Sequence, residues 1–61
     1  MQELVTIDFD FVDDDGGPEV CAVKGDMMFV IPRSQVYATV TGDGGSVELA
    51  KWKAVEIGLW V

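Results

Sequence analysis

The sequence predicts a mainly β domain closed by one short C-terminal helix, and three features carry that expectation. Apolar and polar residues alternate in several short runs, clusters of Gly and Asp separate those runs, and from Lys51 onward the spacing becomes helical. At 61 residues the chain reads as a single small domain, residues 1–61, near the size at which a hydrophobic core alone can offset the entropy of ordering the backbone.

Leu4 to Val12 alternates, with Val5, Ile7, Phe9 and Phe11 on one parity and Thr6, Asp8 and Asp10 on the other, as in a strand with one face in water. Asp13, Asp14, Asp15, Gly16, Gly17 and Pro18 then form a loop by their turn chemistry. Val20 to Lys24 and Met27 to Ile31 flank Gly25-Asp26, and a Gly-X pair between apolar runs predicts a two-residue type II′ hairpin. Met27 to Ile31 is apolar on both parities, which predicts a central strand or one covered on both sides. Pro32 ends that strand because it has no N–H for a ladder. A turn or short 3₁₀ segment follows, with the Ser34 and Gln35 side chains bonding backbone groups.

Val36, Ala38 and Val40 restart the alternation against Tyr37, Thr39 and Thr41. Gly42 to Gly45 makes a second flexible turn, and Val47 and Leu49 belong to a last short strand. From about Ala50 to Ile57 a helix places Trp52, Val55 and Leu59 on one side, with Gly58 as its left-handed cap. Together these elements predict a small five-stranded SH3-like barrel, or a curled antiparallel sheet, with one short C-terminal helix. An open meander backed by the helix, or a dimer that completes the barrel, is the alternative.

Several function classes fall away on composition. The chain has one cysteine and no histidine, so an internal disulfide, a structural zinc site and a Ser-His or Cys-His pair have no residues to build them. Cys21, inside an apolar run, reads as a small core residue. Asp8 and Asp10 as a carboxylate pair would need a cleft that so short a chain has little room for, and the expectation is a protein that is not an enzyme. Asp13, Asp14 and Asp15 lack the spacing of a calcium loop, so no metal or cofactor is expected. No run approaches the ~20 apolar residues of a membrane span, and the N-terminus carries Glu3 and Asp8 in place of a basic region. No membrane partner and no secretion signal are expected, and the unpaired thiol fits a reduced, cytoplasmic setting.

The net charge of −7 is unevenly placed. Before Met27 stand Glu3, Asp8, Asp10, Asp13, Asp14, Asp15, Glu19 and Asp26 against Lys24 alone, whereas acids and bases balance from Met27 on. Asp8 and Asp10 should project from one strand face about 7 Å apart, with Asp13, Asp14, Asp15 and Glu19 continuing the row. Such a row is similar to a phosphate backbone in charge and approximate spacing, which makes these six the candidate partner-binding residues. The partner would be a basic protein, of the nucleic-acid-binding kind. Direct nucleic-acid binding is disfavoured by four basic side chains against eleven acids, although Arg33, Lys51 and Lys53 could form a local patch or be salt-bridged. The apolar share of 49% leaves room for a homodimer through Met28, Val30, Tyr37 and Trp60.

Ile31-Pro32-Arg33-Ser34-Gln35-Val36, followed by Val47, Leu49, Trp52, Ala54, Gly58 and Leu59, resembles a pattern in small phage and prophage proteins. There an I-P-(K/R)-S-Q-(I/V) turn follows an apolar hairpin strand and a W-x-A-x-x-x-G-L helix comes later. The resemblance covers about half of the chain, leaves the acidic N-terminal third unaddressed and supplies no activity. It implies a mobile-element origin, where small acidic proteins often act by occupying a host protein's surface. The leading expectation is therefore a non-enzymatic acidic module that blocks a basic nucleic-acid-binding surface of a host protein, as an anti-CRISPR-like inhibitor or DNA mimic. A self-associating assembly module and a small nucleic-acid-binding barrel are the alternatives.

Overall fold

The computed structural model describes residues 2–60. Seven strands run in the order β1 (Leu4–Asp8), β2 (Phe11–Asp13), β3 (Glu19–Lys24), β4 (Met27–Pro32), β5 (Val36–Val40), β6 (Gly42–Asp43) and β7 (Ser46–Ala50), and helix α1 (Lys51–Glu56) follows. They form two antiparallel sheets, one ordered β1-β7-β5 and the other β4-β3-β2-β6. The chain is thus mainly β with a short C-terminal helix, but the sheets stay open and do not close into a barrel. Val5, Ile7, Val47 and Leu49 of the first sheet share one core with Val12, Val20, Ala22 and Ile31 of the second, and Ala54 of α1 joins them.

The expected continuous strand from Leu4 to Val12 is broken at Phe9-Asp10, where the chain changes sheets. The Phe9 N–H donates to the Gly45 carbonyl at 2.8 Å beside β7, whereas the next residue, Asp10, donates its N–H to Val23 of β3 at 2.8 Å. This crossing resets the side-chain phase. Val5, Ile7 and Phe9 are buried, but beyond the bend Val12 takes the buried position and Phe11 is 43% exposed.

The hairpin forms as the sequence predicts. Lys24 pairs with Met27, and Gly25 has φ +64° while Asp26 does not take a positive φ, the II′ pattern. The place of its second arm is a correction: β4 is an edge strand, with Met27, Met28 and Val30 exposed. The central strand of the other sheet is β7, which enters between β1 and β5 and leaves β4 no neighbour beyond β3. Cys21 is a second correction. It lies half-buried on the outward face of β3 opposite Val30 and Asp13, because Val20 and Ala22 hold the inward parity.

The 3₁₀ turn is found at Arg33–Gln35, although Ser34 and Gln35 make no side-chain hydrogen bond among the described residues. A register shift between Val36 and Ala38 reverses the phase of β5, so Thr39 is half-buried opposite Val47 and Val40 is exposed. In the Gly42 to Gly45 segment β6 pairs with β2, and a Cβ on Gly45 would clash with the Val40 carbonyl oxygen.

Helix α1 ends as expected at Gly58, φ +88°. Gly58 donates to the Val55 carbonyl at 3.1 Å and Leu59 to Ala54 at 2.8 Å, the paired bonds of a Schellman cap. Its buried side differs from the expected stripe. Ala54 faces the core with Ile57 and Leu59 packed beside it, while Trp52 and Val55 are exposed.

Candidate functional site

The acidic loop is the part of the surface with the most polar structure, and Arg33 organises it. The register that sets Glu19 opposite Pro32 brings Pro18 to Arg33 one step further on, where the Arg33 N–H donates to the Pro18 carbonyl at 2.9 Å. From that anchor the Arg33 guanidinium donates through Nε to the Gly17 carbonyl and through both terminal nitrogens to the Asp14 carboxylate, one of them at 3.1 Å. Asp14 also accepts the Gly16 N–H at 3.0 Å and the Thr39 hydroxyl at 3.5 Å. Its side chain is 15% exposed.

The donated bonds from Arg33, then that from Gly16, hold the Asp14 carboxyl at about 2, below the ordinary 3.8, while its carboxylate pushes the Arg33 guanidinium up. Asp14 is therefore an internal ligand of the loop. Asp10 is engaged too: its carboxylate accepts the Gly25 N–H at 2.7 Å and so caps the β3–β4 turn.

The expected single row of carboxylates is divided by the fold. Asp8 ends β1, opposite Ser46 in the first sheet. Asp13 opposes Cys21, and Glu19 lies two residues along β3 on the same outward face of the second sheet. Asp15 sits in the loop and accepts the Gly17 N–H at 2.8 Å. The structure adds Asp43, which β6 places opposite Phe11 on that outward face, beside the row that holds Asp13. Nothing in the local sequence of Gly42-Asp43 signals that pairing. Among the described residues, no three acids or Cys21 gather closely enough to hold a metal ion.

The three basic residues of the second half each meet a carboxylate. Arg33 pairs with Asp14, Lys51 reaches Glu3 at 3.6 Å, and Lys53 reaches Glu56 at 2.8 Å. Lys51 and Lys53 also lie 6.0 Å and 5.8 Å from the ring centres of Trp60 and Trp52. Gln2, Glu3, Lys51, Trp52 and Val55 line an open hollow of about 530 Å³ at this end of the molecule. Among the described residues, no helix is long and apolar enough to cross a membrane. Comparison with protein-family models, with curated proteins and with solved structures returned no match.

Proposed function

We propose that this chain is a non-enzymatic, acidic protein-binding module that occupies a basic, nucleic-acid-binding surface of another protein, as a DNA mimic does. In its concrete form it is a phage or mobile-element inhibitor of the anti-CRISPR kind, acting in the cytoplasm of the host cell. The observation that supports this reading is the unequal use of charge. Three of the four basic side chains, Arg33, Lys51 and Lys53, are matched within the molecule, whereas Asp8, Asp13, Glu19 and Asp43 make no side-chain hydrogen bond or ion pair among the described residues. Exposed carboxylates carried on strands of the two sheets present negative charge to lysines and arginines, steer their approach, and lose strength as salt screens them. Asp10 and Asp14 serve turn and loop, and Asp15 contributes from the loop.

The test immobilises the chain and passes bacterial lysate over it. Retained protein should elute with excess duplex DNA and with about 0.5 M salt, and it should not bind the Asp8→Asn, Asp13→Asn, Glu19→Gln, Asp43→Asn variant. Retention that withstands DNA, salt and these four changes rejects the proposal.

A further inference from the structure

The two sheets have four edges, and three carry a device that discourages further pairing. Strand β1 ends in Asp8, follows Glu3 and has α1 against it. Strand β5 is interrupted by its register shift, and β6 is only two residues long. Strand β4 differs from all three: its six residues pair with β3 without a shift, none of them is charged, and its one such device, Pro32, stands at the end of the strand and leaves Met28 and Val30 open. Met28 is 67% exposed, Met27 58% and Val30 44%.

The hydrogen-bonding valence of this edge follows from the turn. In a two-residue hairpin the pair closing the turn exchanges both bonds, and every second pair repeats that exchange. Met27, Phe29 and Ile31 therefore bond β3, and the Arg33 N–H continues the same phase on the Pro18 carbonyl. The N–H and C=O groups of Met28 and Val30 point away from β3. Among the described residues, no backbone group outside the hairpin pairs with them.

We propose that a second copy of this chain adds to β4 in antiparallel fashion about a two-fold axis at Phe29. That register sets Met28 opposite the partner's Val30, and Val30 opposite the partner's Met28, so that all four open N–H groups meet carbonyls. A register centred on Val30 would set Met28 opposite Pro32, which has no N–H, and leave two Met28 carbonyls unpaired. The edge carries no charge, so its complement is a strand that carries none, and the same six residues in a second copy supply it. A basic partner strand would find no carboxylate on β4 to meet. The nearest acids, Asp26 in the turn and Glu19 opposite Pro32, stand at the ends of the seam. A single strand pairing lies at the small end of specific interfaces, which calls for a wide concentration range in its test.

With a net charge of −7 on each copy, added salt should tighten this dimer, opposite in sign to the salt response of the acidic binding surface. The experiment is sedimentation equilibrium from about 1 µM to about 1 mM, at low salt and at about 0.5 M salt, with amide exchange read at both ends of the series. A monomer–dimer equilibrium strengthened by salt is expected, and the amides of Met28 and Val30 should exchange more slowly in the dimer. Met28→Lys should weaken it about tenfold or more with an unchanged circular dichroism spectrum. Val40→Lys, at a position 60% exposed on the interrupted edge, should leave it intact. A monomer at every concentration overturns the proposal, as does a dimer that survives Met28→Lys or leaves the Met28 and Val30 amides unprotected.

Discussion

Strands β4 and β7 have opposite fates for reasons that their own compositions do not reveal. Strand β4, Met27–Pro32, is apolar on both parities yet lies at an edge. Strand β7, Ser46–Ala50, includes Ser46 and Glu48 yet is the middle of its sheet, with Val47, Leu49 and Ala50 fully buried. A central position depends on which other segments arrive on either side. Strand β7 receives β1 from the start of the chain and β5 from just before it, while β4 has only its hairpin mate. Hydropathy measures how much apolar surface a strand offers, and topology decides how much of it the molecule covers.

The largest test of this contrast is truncation. Leu49→Ala removes a fully buried side chain that opposes both Val5 and Val36, and should cost about 2–5 kcal/mol, measured by urea unfolding. Met28→Ala on the exposed strand should stay within about 0.5 kcal/mol in the same assay at monomeric concentration. Equal effects would show that the two strands are not covered as described.

The glycines leading into the two strands give the next comparison. Gly45, just before β7, is walled in, with the Val40 carbonyl oxygen in the way of a Cβ and a Val12 methyl 2.9 Å from where that Cβ would sit. Gly25, just before β4, has open space around it and only its positive φ to protect. Gly45→Ala should therefore cost about 1–3 kcal/mol or more through overpacking. Gly25→Ala should cost about 1–2 kcal/mol through the left-handed backbone alone. A reversed order in urea midpoints would mean that the junction at Gly45 yields more readily than its contacts imply.

The smallest effect concerns acid. The Asp14 carboxyl falls from 3.8 to about 2 on folding, so the native state favours its ionised form. The stability this contributes is complete above the unfolded value and is lost as the pH falls through about 2. The Arg33–Asp14 pair ties the loop to the end of the hairpin, and none of the Asp14 hydrogen bonds reaches β7. Between about pH 4 and pH 2, amides of the loop and hairpin should lose protection before those of β7. Asp14→Asn should remove that pH dependence from the hairpin.

Local chemistry made much of this fold legible. Gly25-Asp26 specified its turn, Pro32 marked the strand end, Gly58 supplied the helix cap, and Val5, Ile7 and Phe9 identified an inward face. The misreadings share one physical cause: each depends on a partner distant in sequence. The chain turns at Asp10 because Gly45 and Val23 claim adjacent amides, and β5 changes phase against β7. The acidic cluster was legible as composition but not as geometry. Asp10 and Asp14 are bound by Gly25 and Arg33, 15 and 19 residues away, and Asp43 joins the outward face through a two-residue strand. Continuing the hairpin register one step beyond Pro32 would have brought Arg33 to the loop.

The pairing of Leu4 with Ala50 and Asp8 with Ser46 has a consequence for the order of assembly. Strand β1 is made well before β7 and must wait for it, so a nascent chain can complete the β3–β4 hairpin while β1 still lacks its mate. Loop closure over so long a span follows local contacts, which puts the first sheet late in folding. For the same reason, a chain cut before Ser46 would lose the middle of that sheet, and β1 and β5 would have no strand left to join them.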